Sequence, residues 1–246
     1  MKTVEDMECL FPRTLGEALQ YMSDEKKQGK PLAGGTDLMV QWASGVGPRV
    51  DRVISLLALE ELKDVRESGD DIEIGANVTH AALRTSAVVR QHLPGLAAAA
   101  ATVGGAQIQA RGTIAGNVAN ASPAGDLAPA LLVTGGAVVA ASTAGERTIP
   151  LTRFYLGYRK VDLRPDELIV RFVLPKQPAG AREIFRKLGT RSAQAISKVM
   201  GCCRAEVVDG VVGSDAGAVG EGAGGHDPVG VVRDGIDDGA LDDAVA

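Results

Sequence analysis

Aromatic residues and cysteines are both scarce in this 246-residue chain. One Trp, three Tyr and four Phe leave a core to be built mainly from Ala, Val, Leu and Ile. The three cysteines, Cys9, Cys202 and Cys203, are odd in number and form no CxxC pair. That excludes a disulfide framework and gives no ligand set for an iron–sulfur cluster or zinc ion held by this chain alone. No Lys/Arg-rich run occurs and the formal net charge is −5, so a basic face for nucleic acid is missing. The longest soft apolar run, residues 96–103, is far too short to span a bilayer. Residues 1–12 carry acidic side chains and no apolar h-region, so no signal peptide is read and the expected location is the cytoplasm.

What is present suits a globular protein of one large domain or two small ones, because 45% hydrophobic residues can supply a core. Thr14, with Glu17 three residues on, predicts a capped helix whose stripe is Leu15, Ala18, Leu19 and Met22. Strands are expected at residues 30–33, 50–56, 137–141 and 168–174, and a hairpin joins 62–67 to 72–75 around a Ser-Gly-Asp-Asp turn. Helices are expected at 36–44, at 81–86 behind Thr79, at 95–103 behind Pro94, and at 127–133. Residues 104–126 read as a loop crowded with glycine and small polar residues. A linker at 176–180 marks a boundary. Beyond it come a strand at 183–188, a short helix at 193–198 and a strand at 199–208. Strands and helices mix without regular alternation, so the class is α+β.

Two segments carry chemistry. The first is Leu32, Ala33, Gly34, Gly35, Thr36, Asp37, Leu38, Met39. Two glycines after a strand permit a tight turn with outward N–H groups, and a helix starting at Thr36 adds the positive end of its dipole. That is an anion cradle suited to a pyrophosphate. The second runs Thr113, Ile114, Ala115, Gly116, Asn117 and on through Ser122 to Asp126. Its small residues allow a ligand close to the backbone, Asn117 and Ser122 offer neutral hydrogen bonds, and Asp126 can accept from a sugar-like hydroxyl or cap the next helix. Either segment alone reads more readily as a structural turn than as a ligand site. No GxGxxG, Walker or GxSxG motif occurs. The histidines, His80, His92 and His226, are widely separated, and His80 reads as a solvated residue in a helix's first turn. With no acid–base or metal constellation, a cofactor that carries its own chemistry fits best.

The two segments resemble, in order, the flavin-pyrophosphate loops of the medium subunits of molybdenum hydroxylases, the family of carbon monoxide dehydrogenase, xanthine dehydrogenase and 4-hydroxybenzoyl-CoA reductase. The second loop usually has Gly-Gly where this chain has Ala115-Gly116. The resemblance covers residues 1 to about 208. It implies a two-subdomain FAD-binding domain of the vanillyl-alcohol oxidase (PCMH) type at 1–176, divided as 1–58 and 59–176, and a smaller, incomplete α+β C-terminal domain at 181–246. It places FAD contacts on Leu32, Ala33, Gly34, Gly35, Thr36, Asp37, Leu38, Thr113, Ile114, Ala115, Gly116, Asn117 and Ser122. Asp126 matches the contact to the flavin's sugar-like chain, Val103 and Gly104 a segment approaching the ring, and Leu168 and Lys187 positions near the ring and phosphates. It implies a molybdenum-cofactor large subunit and a 2Fe–2S small subunit as partners in a heterotrimer or its dimer, and an external electron acceptor. The cysteine-bearing 4Fe–4S loop of 4-hydroxybenzoyl-CoA reductase is missing. A stand-alone flavin oxidoreductase and a non-catalytic remnant are the alternatives.

Composition breaks sharply near the end. Residues 209–246 hold ten glycines, eight aspartates and one basic residue, Arg233. Such a segment is expected to bury too little surface to offset its ordering entropy. We hypothesise a frameshift near Val211, since GC-rich codons read out of frame give this composition; a disordered tail reached by divergence is the other reading. If no alternative frame of the coding DNA yields a family-like tail, the frameshift is excluded.

Overall fold

The computed structural model describes residues 7–24, 26–27, 29–191, 194–208, 211–221 and 230–233. The chain begins with β1 (Glu8–Leu10), α1 (Leu15–Met22), β2 (Gly29–Leu32), α2 (Leu38–Ala43) and β3 (Arg52–Ser55). These three strands form a parallel sheet in the order β1-β3-β2. Helix α1 starts where Thr14 accepts from the Glu17 N–H at 3.2 Å, as the capping pattern predicts. The Glu17 carboxylate returns to the Arg13 N–H rather than to that of Thr14. Ala18 and Leu19 bury the helix's apolar stripe.

A second unit follows: β4 (Val65–Ser68), β5 (Asp71–Gly75), α3 (His80–Thr85), α4 (Ala87–His92), α5 (Pro94–Thr102), α6 (Ala106–Arg111), α7 (Ile114–Asn120), α8 (Leu127–Leu132), β6 (Ala137–Ser142), β7 (Gly145–Pro150), α9 (Leu151–Phe154), β8 (Tyr155–Gly157), β9 (Lys160–Val161) and β10 (Leu168–Pro175). Its five-stranded sheet has the order β4-β5-β10-β6-β7 and its pairs are antiparallel. The β4–β5 turn has Gly69 at φ +61°, a conformation that glycine adopts without strain. Arg147 locks β7 to the approach of β10: its guanidinium meets Glu167 at 2.7 Å and Asp162 at 3.1 Å. Residues 104–126, expected to be a loop, contain α6 and α7. Each is short and begins at a residue able to start a helix, Gly105 and Thr113.

Strands β11 (Ala181–Gly189), β12 (Ser197–Val208), β13 (Val211–Glu221) and β14 (Gly230–Arg233) form an antiparallel sheet in sequence order. Two expectations are corrected here. Ser197 and Lys198 begin β12 instead of ending a helix, because Ser197 pairs with Gly189 across the sheet; residue 193 of the expected helix lies outside the described residues. The composition of residues 209–246 does not prevent order over β13 and β14. An antiparallel ladder uses backbone groups that every residue but proline supplies, and Ala218 is fully buried. Among the described residues of 181–233 no helix occurs. One hydrophobic cluster runs from Ala18 and Ile54 through Phe154 and Phe172 to Phe185, Met200 and Ala218, so the three larger sheets share a core.

Candidate functional site

The two glycine segments, 80 residues apart in sequence, meet in space. A Cβ built on Gly34 would lie 1.8 Å from the Arg111 carbonyl oxygen and 3.0 Å from the Gly112 Cα. Only glycine allows that approach. Asn120, at the end of α7, donates its side-chain N–H to Asp37 Oδ1 at 3.1 Å and ties the segments a second time.

Their backbone amides differ in use. In the first segment Gly35 takes φ +75°. Among the described residues the N–H groups of Gly34, Gly35, Thr36 and Asp37 meet no protein acceptor, and Asp37 leaves α2 without a side-chain cap. In the second segment the amides are engaged. Ile114 donates to Val78 O at 2.9 Å, Ala115 to Ala76 O at 3.2 Å and Asn117 to Thr113 O at 3.0 Å. Gly116 donates to the capping Thr113 hydroxyl at 3.1 Å. What this segment can still offer a ligand is the Thr113 hydroxyl proton and the Asn117 carboxamide.

Asp37 is exposed as a residue, yet its carboxyl lies among enough protein for lost hydration to raise its pKa, against the pull of Arg159. Leu32, Ala33 and Leu38 are half-buried beside it, Leu32 and Leu38 against the small cluster of Trp42, Val50 and Val53. Ile114 and Leu168 lie in the main core, so their side chains serve the fold. Ser122 accepts from the Ala124 N–H at 3.3 Å and helps shape the turn toward Asp126.

A third group of expected residues converges elsewhere. Asp126 is buried, and its Oδ2 lies 2.6 Å from the Lys187 ammonium, which reaches across from β11. Lys187 also donates to the Thr102 carbonyl at 3.1 Å, the residue before Val103 and Gly104. Ser197 donates its hydroxyl to Asp126 Oδ1. One ammonium therefore joins Asp126, the end of α5 and the C-terminal sheet. The opposite end of α5 is matched too: Glu183 accepts from the Gly95 N–H at 2.7 Å and pairs with Arg204 at 2.6 Å. A carboxylate at the helix's N-terminus and an ammonium at its C-terminus both complement its dipole and seat it on β11.

Sequence reading missed His80. It is 2% exposed, not solvated, and burial alone lowers its pKa to about 4. It also missed Arg111, Asn120 and Ser197. Only Asn120, three residues past Asn117, carried a local signal. Among the described residues no group of His, Cys, Asp and Glu could hold a metal ion, and no helix is long and apolar enough to cross a membrane. A cleft of about 210 Å³ lined by Leu15, Glu61, Arg66, Glu73 and Arg171 shares no residue with either loop, and its arginines are paired with Glu73 and Glu146.

The open amides of the first loop and the hydroxyl and carboxamide of the second fit a dinucleotide's pyrophosphate. Comparison with known proteins agrees. The family described as the FAD binding domain in molybdopterin dehydrogenase matches residues 5–177. The FAD-subunit of nicotinate dehydrogenase from Eubacterium barkeri is 33% identical over 210 residues, 84% of this chain and 71% of that protein. The xanthine dehydrogenase FAD-binding subunit of Escherichia coli O157:H7 is 33% identical over 193 residues, 77% of this chain. This chain spans 64% of that relative's length. The structure of quinoline 2-oxidoreductase from Pseudomonas putida 86 superposes with a TM-score of 0.85 at 25% identity, covering 94% of this chain and 78% of that one.

Proposed function

The chain belongs to the family of FAD-binding domains of molybdopterin dehydrogenases, and from that premise we propose that it is the electron-transferring subunit of a cytoplasmic molybdenum hydroxylase. In this reading a large partner subunit oxidises substrate at a molybdenum cofactor. A small partner subunit carries 2Fe–2S clusters, and this chain passes their electrons to an external acceptor. FAD, when bound, supplies the redox chemistry.

The chain's own part is to bind and orient. The free amides of Gly34, Gly35, Thr36 and Asp37 take the pyrophosphate, with the Thr113 hydroxyl and the Asn117 carboxamide on its other side. Leu32, Ala33, Leu38, Ala115, Gly116 and Ser122 shape the walls, over a floor that includes Ile114 and Leu168. Val103 and Gly104 flank the ring. Asp126 and Lys187 stand at the sugar-like chain, already paired with each other, so a cofactor hydroxyl adds a bond to an ordered carboxylate.

The observation that carries this reading is the contact between the two loops, one with its amides open. The test is co-expression with the candidate large and small subunits. The expected product is a complex with one flavin per copy of this chain, molybdenum and iron, whose visible flavin absorbance bleaches on adding the substrate of the large subunit. A colourless, monomeric product overturns the reading.

A further inference from the structure

His80 is an anomaly in the core. An aliphatic side chain would fill its place without burying a nitrogen, yet its Nδ1 is buried with no hydrogen-bond partner. Its surroundings explain the choice of a flat ring. The His80 backbone N–H donates to the Gly112 carbonyl at 3.0 Å. The Cδ2–Nε2 edge of the imidazole lies so close to Gly112 that a Cβ there would stand 2.9 and 3.1 Å from those two atoms. Gly112 in turn abuts Gly34. The order is therefore imidazole, Gly112, Gly34, with side-chain space at neither glycine. On the other side, α3 is held to α6 by Arg84 donating to Gln109 at 2.9 Å. Thr79 bridges to Thr113. The ring bears on the Gly112 peptide, which lies against the first loop.

We propose that His80 is a positioning residue for the cofactor: its flat ring sets Gly112, and through it the second loop, at the distance from the first loop that a pyrophosphate requires. It touches neither loop's ligand-facing groups and acts through Gly112. This rests on the cofactor reading above and adds a residue outside both motifs. A thicker or non-planar side chain at position 80 pushes Gly112 toward Gly34, and nothing there can yield but the backbone of the loop.

The test separates positioning from stability. The apo-chain is titrated with FAD at pH 7, following quenching of flavin fluorescence, for the native protein, His80→Leu and Leu83→Ala. Leu83 is fully buried in the main hydrophobic core on the same helix, so it reports packing. Expected are a tenfold or greater loss of FAD affinity in His80→Leu and less than a twofold change in Leu83→Ala, although both lower the melting temperature. Amide exchange at Ile114, Ala115 and Asn117, which are hydrogen-bonded without cofactor, is expected to quicken in His80→Leu only. Equal effects of the two substitutions, or none in His80→Leu, overturn the role of His80. A native chain that takes up no FAD overturns the cofactor reading instead, and the amide exchange then decides His80 by itself.

Discussion

The two glycine loops look alike in sequence and behave differently in structure. The first, after β2, keeps four consecutive N–H groups without an acceptor among the described residues and holds Gly35 in the left-handed region. The second, at the start of α7, engages the amides of Ile114, Ala115, Gly116 and Asn117 in its own fold. Small residues serve a ligand in one loop and close packing in the other. Glycine content alone does not reveal a phosphate cradle; what distinguishes one is amides without partners.

The contact between the loops is where this contrast breaks most easily. Gly34→Ala puts a methyl group 1.8 Å from the Arg111 carbonyl oxygen, and backbone must move. FAD affinity should fall by about 100-fold or more, on the order of 3 kcal/mol, measured by the same fluorescence titration. Acid attacks the contact from beneath the second loop. Burial keeps His80 neutral down to about pH 4, whereas the imidazole of the unfolded chain takes up a proton near its ordinary value of 6.5. Above pH 6.5 the group has no effect. Between 6.5 and 4 the unfolded state binds more protons, so stability falls with pH, by up to about 3 kcal/mol in all. Urea unfolding across that range should show the slope in the native chain and a shallower one in His80→Leu.

Smaller effects sharpen the contrast. Thr113→Ala removes the cap of α7 and should cost about 1 kcal/mol of stability by urea unfolding. Thr113→Ser should restore it. Asn120→Ala removes one partly exposed hydrogen bond between the loops, worth about 0.5–1 kcal/mol. It should weaken FAD binding two- to fivefold while leaving the melting temperature within about a degree or two.

Local signals were legible in the sequence. Thr14 and Thr79 cap the helices they were expected to cap, and Pro94 opens α5. The first glycine segment follows β2 as expected, whereas the second opens helix α7. What the sequence hid depends on distance. Lys187 and Asp126 are 61 residues apart, and each was assigned to the cofactor without sign that they pair with one another. His80 looks solvated in its own turn, yet it is buried with one ring edge against Gly112, 32 residues on. Helices α6 and α7 were obscured because glycine and small polar residues argue against helix, although Thr113 followed by Gly116 was a readable cap. The strands after Val208 were missed for a related reason: composition measures side-chain burial, and those strands pair through their backbones.

Hydrogen exchange on adding FAD tests the central claim most directly, because it reads each loop's amides separately. The amides of residues 34–37 should exchange freely without cofactor and become protected when FAD binds. Those of Ile114, Ala115 and Asn117 should be protected from the start and change little. Protection gained at the second loop, with the first unchanged, would contradict the account.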